Sequence, residues 1–297
     1  MLPNLLVVGA MKSGTTSLHH YLSLHPEIFM SEDKEPTFFT AEKNWNRGVS
    51  WYSSLFPTDK PVRGESSPDY TKYPAIQGVP ARIHSVVPDV RLVYLVREPV
   101  ERIVSHYIDA YSFGRVHKPI NRELANFEDH HFVNCSRYYM QLEQYFEYFD
   151  SDGMLVITSE ELRGRREATM RKAFAFLGVD ASFTAPEFGV VLYTAEEKRR
   201  NTRLGYFLLR IGDRVRHSAL RPYLSPKLMA PIRTLNARTA RPIPRPELDP
   251  SLRSELVDYL RPDVERLRSL TKNPLLDWQS FRDESHQETA FRGRSVG

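Results

Sequence analysis

Residues 9–16 read Gly9-Ala10-Met11-Lys12-Ser13-Gly14-Thr15-Thr16. One cation, three hydroxyls and two glycines in so short a stretch have the makeup of an anion cradle. Backbone N–H groups of such a loop, and the positive end of a following helix, converge on a single anion. Gly9 and Gly14 keep the spacing of the nucleotide-hydrolase loop GxxxxGK[ST], but Thr15 stands where that loop has its lysine. The cation has moved to Lys12 and meets the anion from another side. An ordinary βα turn that happens to carry a lysine is the plain alternative.

A second cation closes the run Arg91-Leu-Val-Tyr-Leu-Val-Arg97. In a metal-dependent nucleotide hydrolase such a strand ends in an acid that helps to hold Mg²⁺. Arg97 in that place points to an anion held without a metal, unless it simply pairs with Glu98 or Glu101. Ser105 follows about two helical turns on. Glu65, in Val62-Arg-Gly-Glu-Ser-Ser-Pro-Asp-Tyr70, sits at the exit of another short strand. Chemistry in α/β proteins gathers outside those strand ends, although a solvated loop glutamate or a helix cap reads the same way. Lys198-Arg199-Arg200 is a cationic run in an expected loop, either solvated or suited to clamping an anion from above. Phe38, Phe39, Tyr70 and Tyr138 are candidates for an acceptor wall, with core packing as the competing reading for the two phenylalanines and for the stripe Tyr138, Leu142, Tyr145, Phe146, Phe149.

These residues need elements to position them. Apolar runs place buried strands near 5–9, 91–96 and 154–158, and a brief extended piece places another near 62–65. Between them lie helical patterns: after Gly14 to about Leu24, 45–56 stopping at Pro57, 76–87 stopping at Pro88, and 100–111 behind Pro99. Further on come 138–149, 171–177 ending at Gly178, and 252–270. Residues 114–131 read as a polar loop facing substrate. Strand–helix alternation predicts an α/β fold, a P-loop-like, doubly wound and mostly parallel sheet flanked by helices, with a helical C-terminal extension. One domain is expected over 1–280, with a basic, proline-broken extension at 203–248 and a disordered tail at 281–297.

The 297 residues, with 41% hydrophobic and 26% charged side chains, suit a globular chain with one substantial core. The net charge of +4 favours an anionic ligand. No nucleic-acid motif is present, and no apolar run reaches the ~20 residues of a membrane helix. A single cysteine, Cys135, cannot form an internal disulfide, so a reducing, cytoplasmic setting is expected.

Taken together, Lys12-Ser-Gly-Thr-Thr16, Arg97-Glu-Pro99 through Ser105, and the late Lys198-Arg-Arg200 resemble a PAPS-dependent sulfotransferase. PAPS is 3′-phosphoadenosine 5′-phosphosulfate. Glu65-Ser-Ser-Pro-Asp-Tyr70 and Lys34-Glu-Pro-Thr-Phe-Phe39 resemble the heparan-sulfate-type branch and its bacterial relatives. The likeness runs over roughly residues 4–205. It implies that Lys12, Ser13, Gly14, Thr15 and Thr16 bind the 5′-phosphosulfate, Lys12 nearest the bridging oxygen. Arg97 and Ser105 would take the 3′-phosphate, and Lys198, Arg199 and Arg200 would close over the donor, though Arg199 stands where the family has glycine. Glu65 is the expected base, with His106 as its rival. The expected partners are PAPS and an acceptor alcohol or amine, with no metal. A Mg²⁺/ATP phosphotransferase and a non-catalytic polyanion-binding module are the competing readings.

Overall fold

The structure is a computed structural model that describes residues 1–189, 199–200, 241–271, 276 and 278–282. Among the described residues five stretches, all but the third of them mainly apolar, extend as the strands of one sheet: β1 Leu5–Gly9, β2 Ile28–Met30, β3 Val62–Ser66, β4 Arg91–Val96 and β5 Met154–Thr158. They form one parallel sheet in the order β2-β3-β1-β4-β5. The doubly wound architecture expected from the sequence is therefore present. β2 was not anticipated, because three residues are too few for a periodic signal.

The helices are α1 Thr15–Ser23, α2 Gly48–Ser54, α3 Val79–Val86, α4 Pro99–Ser112, α5 Ile120–Glu123, α6 His131–Asn134, α7 Tyr138–Glu143, α8 Ser159–Gly164, α9 Arg166–Leu177 and α10 Pro250–Thr271. Three expectations need correction. The 45–56 pattern splits into a 3₁₀ turn at Trp45–Arg47 and α2. The 138–149 helix stops at Glu143, although Tyr145 and Phe149 stay buried. The 114–131 loop contains α5 and the first residue of α6.

Period-two alternation sorts the strand side chains into two cores. Leu5, Val7, Val93 and Leu95 pack with α1 and α9 on one face, while Leu6, Val8, Leu92, Tyr94 and Val96 pack with α3, α4 and α10 on the other. From β1 the chain winds outward to β2 and β3, then crosses to β4 on the far side of β1. The loop after β1 thus lies at the point where strand order reverses, the place where open α/β sheets bind ligands.

The C-terminal helix belongs to this same body. Asp263 of α10 caps α7, its two carboxylate oxygens accepting the Tyr139 and Met140 N–H groups at 2.9 Å each. Burial holds its acid up, at about 6. Arg199–Arg200 is not a plain loop: it forms a strand, β6, antiparallel to β7 at Arg241–Pro242. β6 runs beside α4. Lys198, most of the 203–248 extension and nearly all of the 281–297 tail lie outside the described residues. No helix among the described residues is long and apolar enough to cross a membrane.

Candidate active site

The loop after β1 is fixed from beneath by the segment after β3. The Thr71 hydroxyl donates to the Val8 carbonyl at 3.0 Å. It comes so close that a Cβ on Gly9 would fall 1.9 Å from Thr71 Oγ1, so only glycine fits there. Ala10 N–H donates to the Leu95 carbonyl at 2.6 Å and Ser13 N–H to that of Ala10 at 3.1 Å. The chain then turns through left-handed backbone at Lys12 (φ 74°) and Gly14 (φ 102°). The N-cap of α1 is Gly14, which has no side chain of its own to cap the helix. Ser13 and Thr15 are buried in this turn, Lys12 is partly exposed and Thr16 faces outward. The result is a positive helix end with a cation above it, the chemistry of a phosphate site.

Lys12 Nζ lies 3.0 Å from Asp109 Oδ1 of α4. At the other end of the same helix, Arg97 Nη2 lies 3.7 Å from Glu101 Oε2. Burial, and next the Arg163 guanidinium nearby, lowers the pKa of Arg97 below its ordinary value. Tyr138 fixes the Arg97 backbone: its hydroxyl donates to the Arg97 carbonyl at 2.8 Å and accepts from its N–H at 3.3 Å. Ser105 is buried on α4 between these ends.

Glu65 is in a different position from the one its loop suggested. Its register partner is Leu6, so it points into the α3/α4 face of the sheet. There it is completely buried, and accepts hydrogen bonds from the Tyr70 hydroxyl at 2.7 Å and the Tyr52 hydroxyl at 3.1 Å. Burial raises its pKa to about 7, against the opposing hydrogen bonds from Tyr70, Ser67 and Tyr52. With no exposed atom, Glu65 offers an acceptor nothing to touch. Phe38 and Phe39 are equally buried, Phe38 stacked on Tyr52 with ring centroids 4.2 Å apart. Tyr138 is fully enclosed too. These aromatics and the buried Tyr70 pack in the core.

An exposed carboxylate at this rim is Glu35, its side chain 49% accessible and paired with Lys34. The Lys34–Glu35 turn is tied to the end of β3, where Ser66 N–H donates to the Lys34 carbonyl at 3.0 Å. His19 of α1 completes the corner, its Nδ1 3.0 Å from Ser66 Oγ. Burial, and then Lys34, drives the His19 pKa down to about 4, so it is neutral at physiological pH. On the other side stands Asp69, paired with both Lys43 and Lys72. Burial pushes its acid up, and these two lysines more than reverse that, leaving the pKa below the ordinary value.

The rival base, His106, is buried behind Arg102. The Arg102 Nη1 lies 3.2 Å from His106 Nδ1, and burial and then that guanidinium drive the imidazole pKa far down. Arg102 itself is fully enclosed. Its Nε donates to Ser136 Oγ at 2.5 Å, Nη1 to the Met11 carbonyl at 3.3 Å and Nη2 to the Phe132 carbonyl. It ties the Lys12 loop to α4 and α6. Sequence reasoning passed over Arg102 and Asp109. The available signal was their spacing: with Ser105 they recur at i, i+3 and i+7 on one helix face, which turns inward.

The sulfotransferase domain family model matches residues 2–208, over two thirds of the chain. The chain belongs to the sulfotransferase domain family. Mouse heparan sulfate glucosamine 3-O-sulfotransferase 6 is 28% identical over 200 residues, covering 63% of this chain and 55% of that protein. Human bifunctional heparan sulfate N-deacetylase/N-sulfotransferase 2 is 28% identical over 205 residues, covering 60% of this chain and 22% of that protein. The chain thus spans about half the length, or less, of these relatives. A sulfotransferase structure from Alicyclobacillus acidocaldarius superposes with a TM-score of 0.66 at 24% identity, covering 95% of this chain and all of that one. This likeness bears out the fold.

Proposed function

We propose that the chain is a PAPS-dependent sulfotransferase, transferring a sulfo group from PAPS to an acceptor hydroxyl or amine and leaving 3′-phosphoadenosine 5′-phosphate (PAP). The observation that carries this reading is Lys12 two residues before the glycine N-cap of α1 at the sheet's switch point, with Arg97 where a metal-dependent enzyme has an acid. Ser13, Gly14, Thr15 and Thr16 would hold the 5′ end of the donor, and Arg97 and Ser105 its 3′-phosphate. Arg199 and Arg200 stand on β6 beside α4, a place from which their strand can cover the donor.

As the S–O bond to the 5′-phosphate breaks, negative charge gathers on the leaving oxygen. A cation already fixed there lowers the barrier, because it is held more tightly in the transition state than in the ground state. Lys12 is that cation. The migrating group carries less charge than a phosphoryl group, so less neutralisation is asked of the protein. The acceptor oxygen gains the sulfo group and gives up its proton. We assign that proton to Glu35, since Glu65 is enclosed and His106 is buried behind Arg102. Relatives named as heparan sulfate 3-O- and N-sulfotransferases make glycan hydroxyls and amines the first acceptors to test.

Thermal shift tests the donor. Saturating PAP is expected to raise the Tm by the several degrees that mass action gives at about 100 times Kd. Stabilisation by ATP with Mg²⁺ but not by PAP would favour a phosphotransferase. Stabilisation by polyanions alone would favour a non-catalytic module.

A further inference from the structure

Both cations assigned to the donor already hold a carboxylate, and both carboxylates come from α4. Lys12 meets Asp109 at 3.0 Å, with only 19% and 11% of their side chains accessible. Arg97 meets Glu101 at 3.7 Å. Glu101 also draws in Arg245, in direct contact, and Arg253 at 3.7 Å. Its acid lies below the ordinary value because the hydrogen bond and charge of Arg245, then Arg97 and Arg253, outweigh burial. The two carboxylates are eight positions apart, about 12 Å along the helix at 1.5 Å per residue. They are thus set along α4 with one facing each anionic end assigned to the donor.

We propose that Asp109 and Glu101 are internal stand-ins for the two anionic ends of the donor, and that Arg245, gathered by Glu101, passes to the 3′-phosphate. The proposal rests on the donor reading above. A phosphate that takes Lys12 or Arg97 must displace or sit beside a like charge, and that work is subtracted from affinity. The two α4 carboxylates are therefore positioning residues that set how tightly the donor binds and, through Lys12, where the ammonium waits. Asp109 acts on the 5′ end alone and Glu101 on the 3′ end alone, so their effects separate by ligand.

Calorimetric titration of the full chain with PAP and with adenosine 5′-phosphate, which lacks the 3′-phosphate, tests this. Asp109→Asn is expected to tighten both ligands about tenfold, as a desolvated ion pair gives up its competitor. Glu101→Gln is expected to tighten PAP about two- to fivefold, the range of a partly exposed pair, and to leave adenosine 5′-phosphate unchanged. Arg245→Ala is expected to weaken PAP only. In a Lys12→Ala background the gain from Asp109→Asn disappears. A merely structural role for either carboxylate would not tighten a ligand. Unchanged or weaker PAP binding by Asp109→Asn or by Glu101→Gln overturns the proposal. Asp109→Ser and Glu101→Ala serve as second variants should an amide fail to fold, and the same directions apply. If the unaltered protein binds no PAP at all, it is the donor reading that has failed.

Discussion

Glu65 offers a measurement whose size follows from its surroundings. In the folded chain it titrates near 7, against an ordinary value of 4.5, because burial penalises its charge. Below about pH 4.5 the carboxyl is protonated in both folded and unfolded chains. Between 4.5 and 7 the unfolded chain has released this proton while the folded chain still holds it, so stability falls as pH rises. Above about 7 both states are ionised and the whole penalty is present. An interval of about two and a half pH units, at 1.36 kcal/mol per unit, gives about 3 kcal/mol. Glu65→Gln removes the charge yet keeps a carbonyl oxygen for the Tyr70 and Tyr52 hydroxyls. Equilibrium urea unfolding of both proteins at pH 4.5 and pH 8 isolates the effect, since every other titrating group is shared. The variant is expected to gain about 3 kcal/mol on the parent between the two pH values. A gap that does not change with pH would mean that Glu65 ionises like a surface carboxylate, and the account of it as an enclosed acid would be wrong.

Three further outcomes are expected. Lys12→Ala should lower kcat by about 10²–10³-fold while the fold persists, as loss of one preorganised charge donor does; steady-state turnover with PAPS checks it, and unchanged turnover removes Lys12 from the reaction. Glu35→Gln should lower kcat by about 10²–10⁴-fold without moving the Tm, since its side chain is 49% accessible and caps nothing in the core; comparison with Glu65→Gln decides which carboxylate takes the proton. Arg102→Met should cost roughly 3–5 kcal/mol in urea unfolding, because the Met11 and Phe132 carbonyls and Ser136 lose a fully enclosed donor; a change under 1 kcal/mol would show that the tie across the Lys12 loop, α4 and α6 carries no weight.

What the sequence made legible and what it hid divide along one physical line. Patterns written in consecutive residues came through: the apolar runs of β1, β4 and β5, Pro99 opening α4, and Gly178 ending α9 in left-handed backbone at φ 69°. So did the turn of the Lys12 loop, where Gly14 meets a local requirement at φ 102°. What failed depended on partners far along the chain. Glu65 looks like a rim residue until Tyr52, thirteen positions earlier, and Tyr70 close over it. The face of α4 carrying Arg102, Ser105 and Asp109 reads as solvated by hydrophobic periodicity, yet it lies against Met11, Lys12, Phe132 and Ser136. Hydrophobic spacing reports burial only where burial is apolar. In this protein the buried face of α4 that meets the Lys12 loop is polar, with Asp109 paired to Lys12 and Arg102 donating to the Met11 carbonyl. A site built to desolvate charge places ionic groups where core-seeking rules expect leucine, so the residues that such rules assign to solvent are the ones to examine for function.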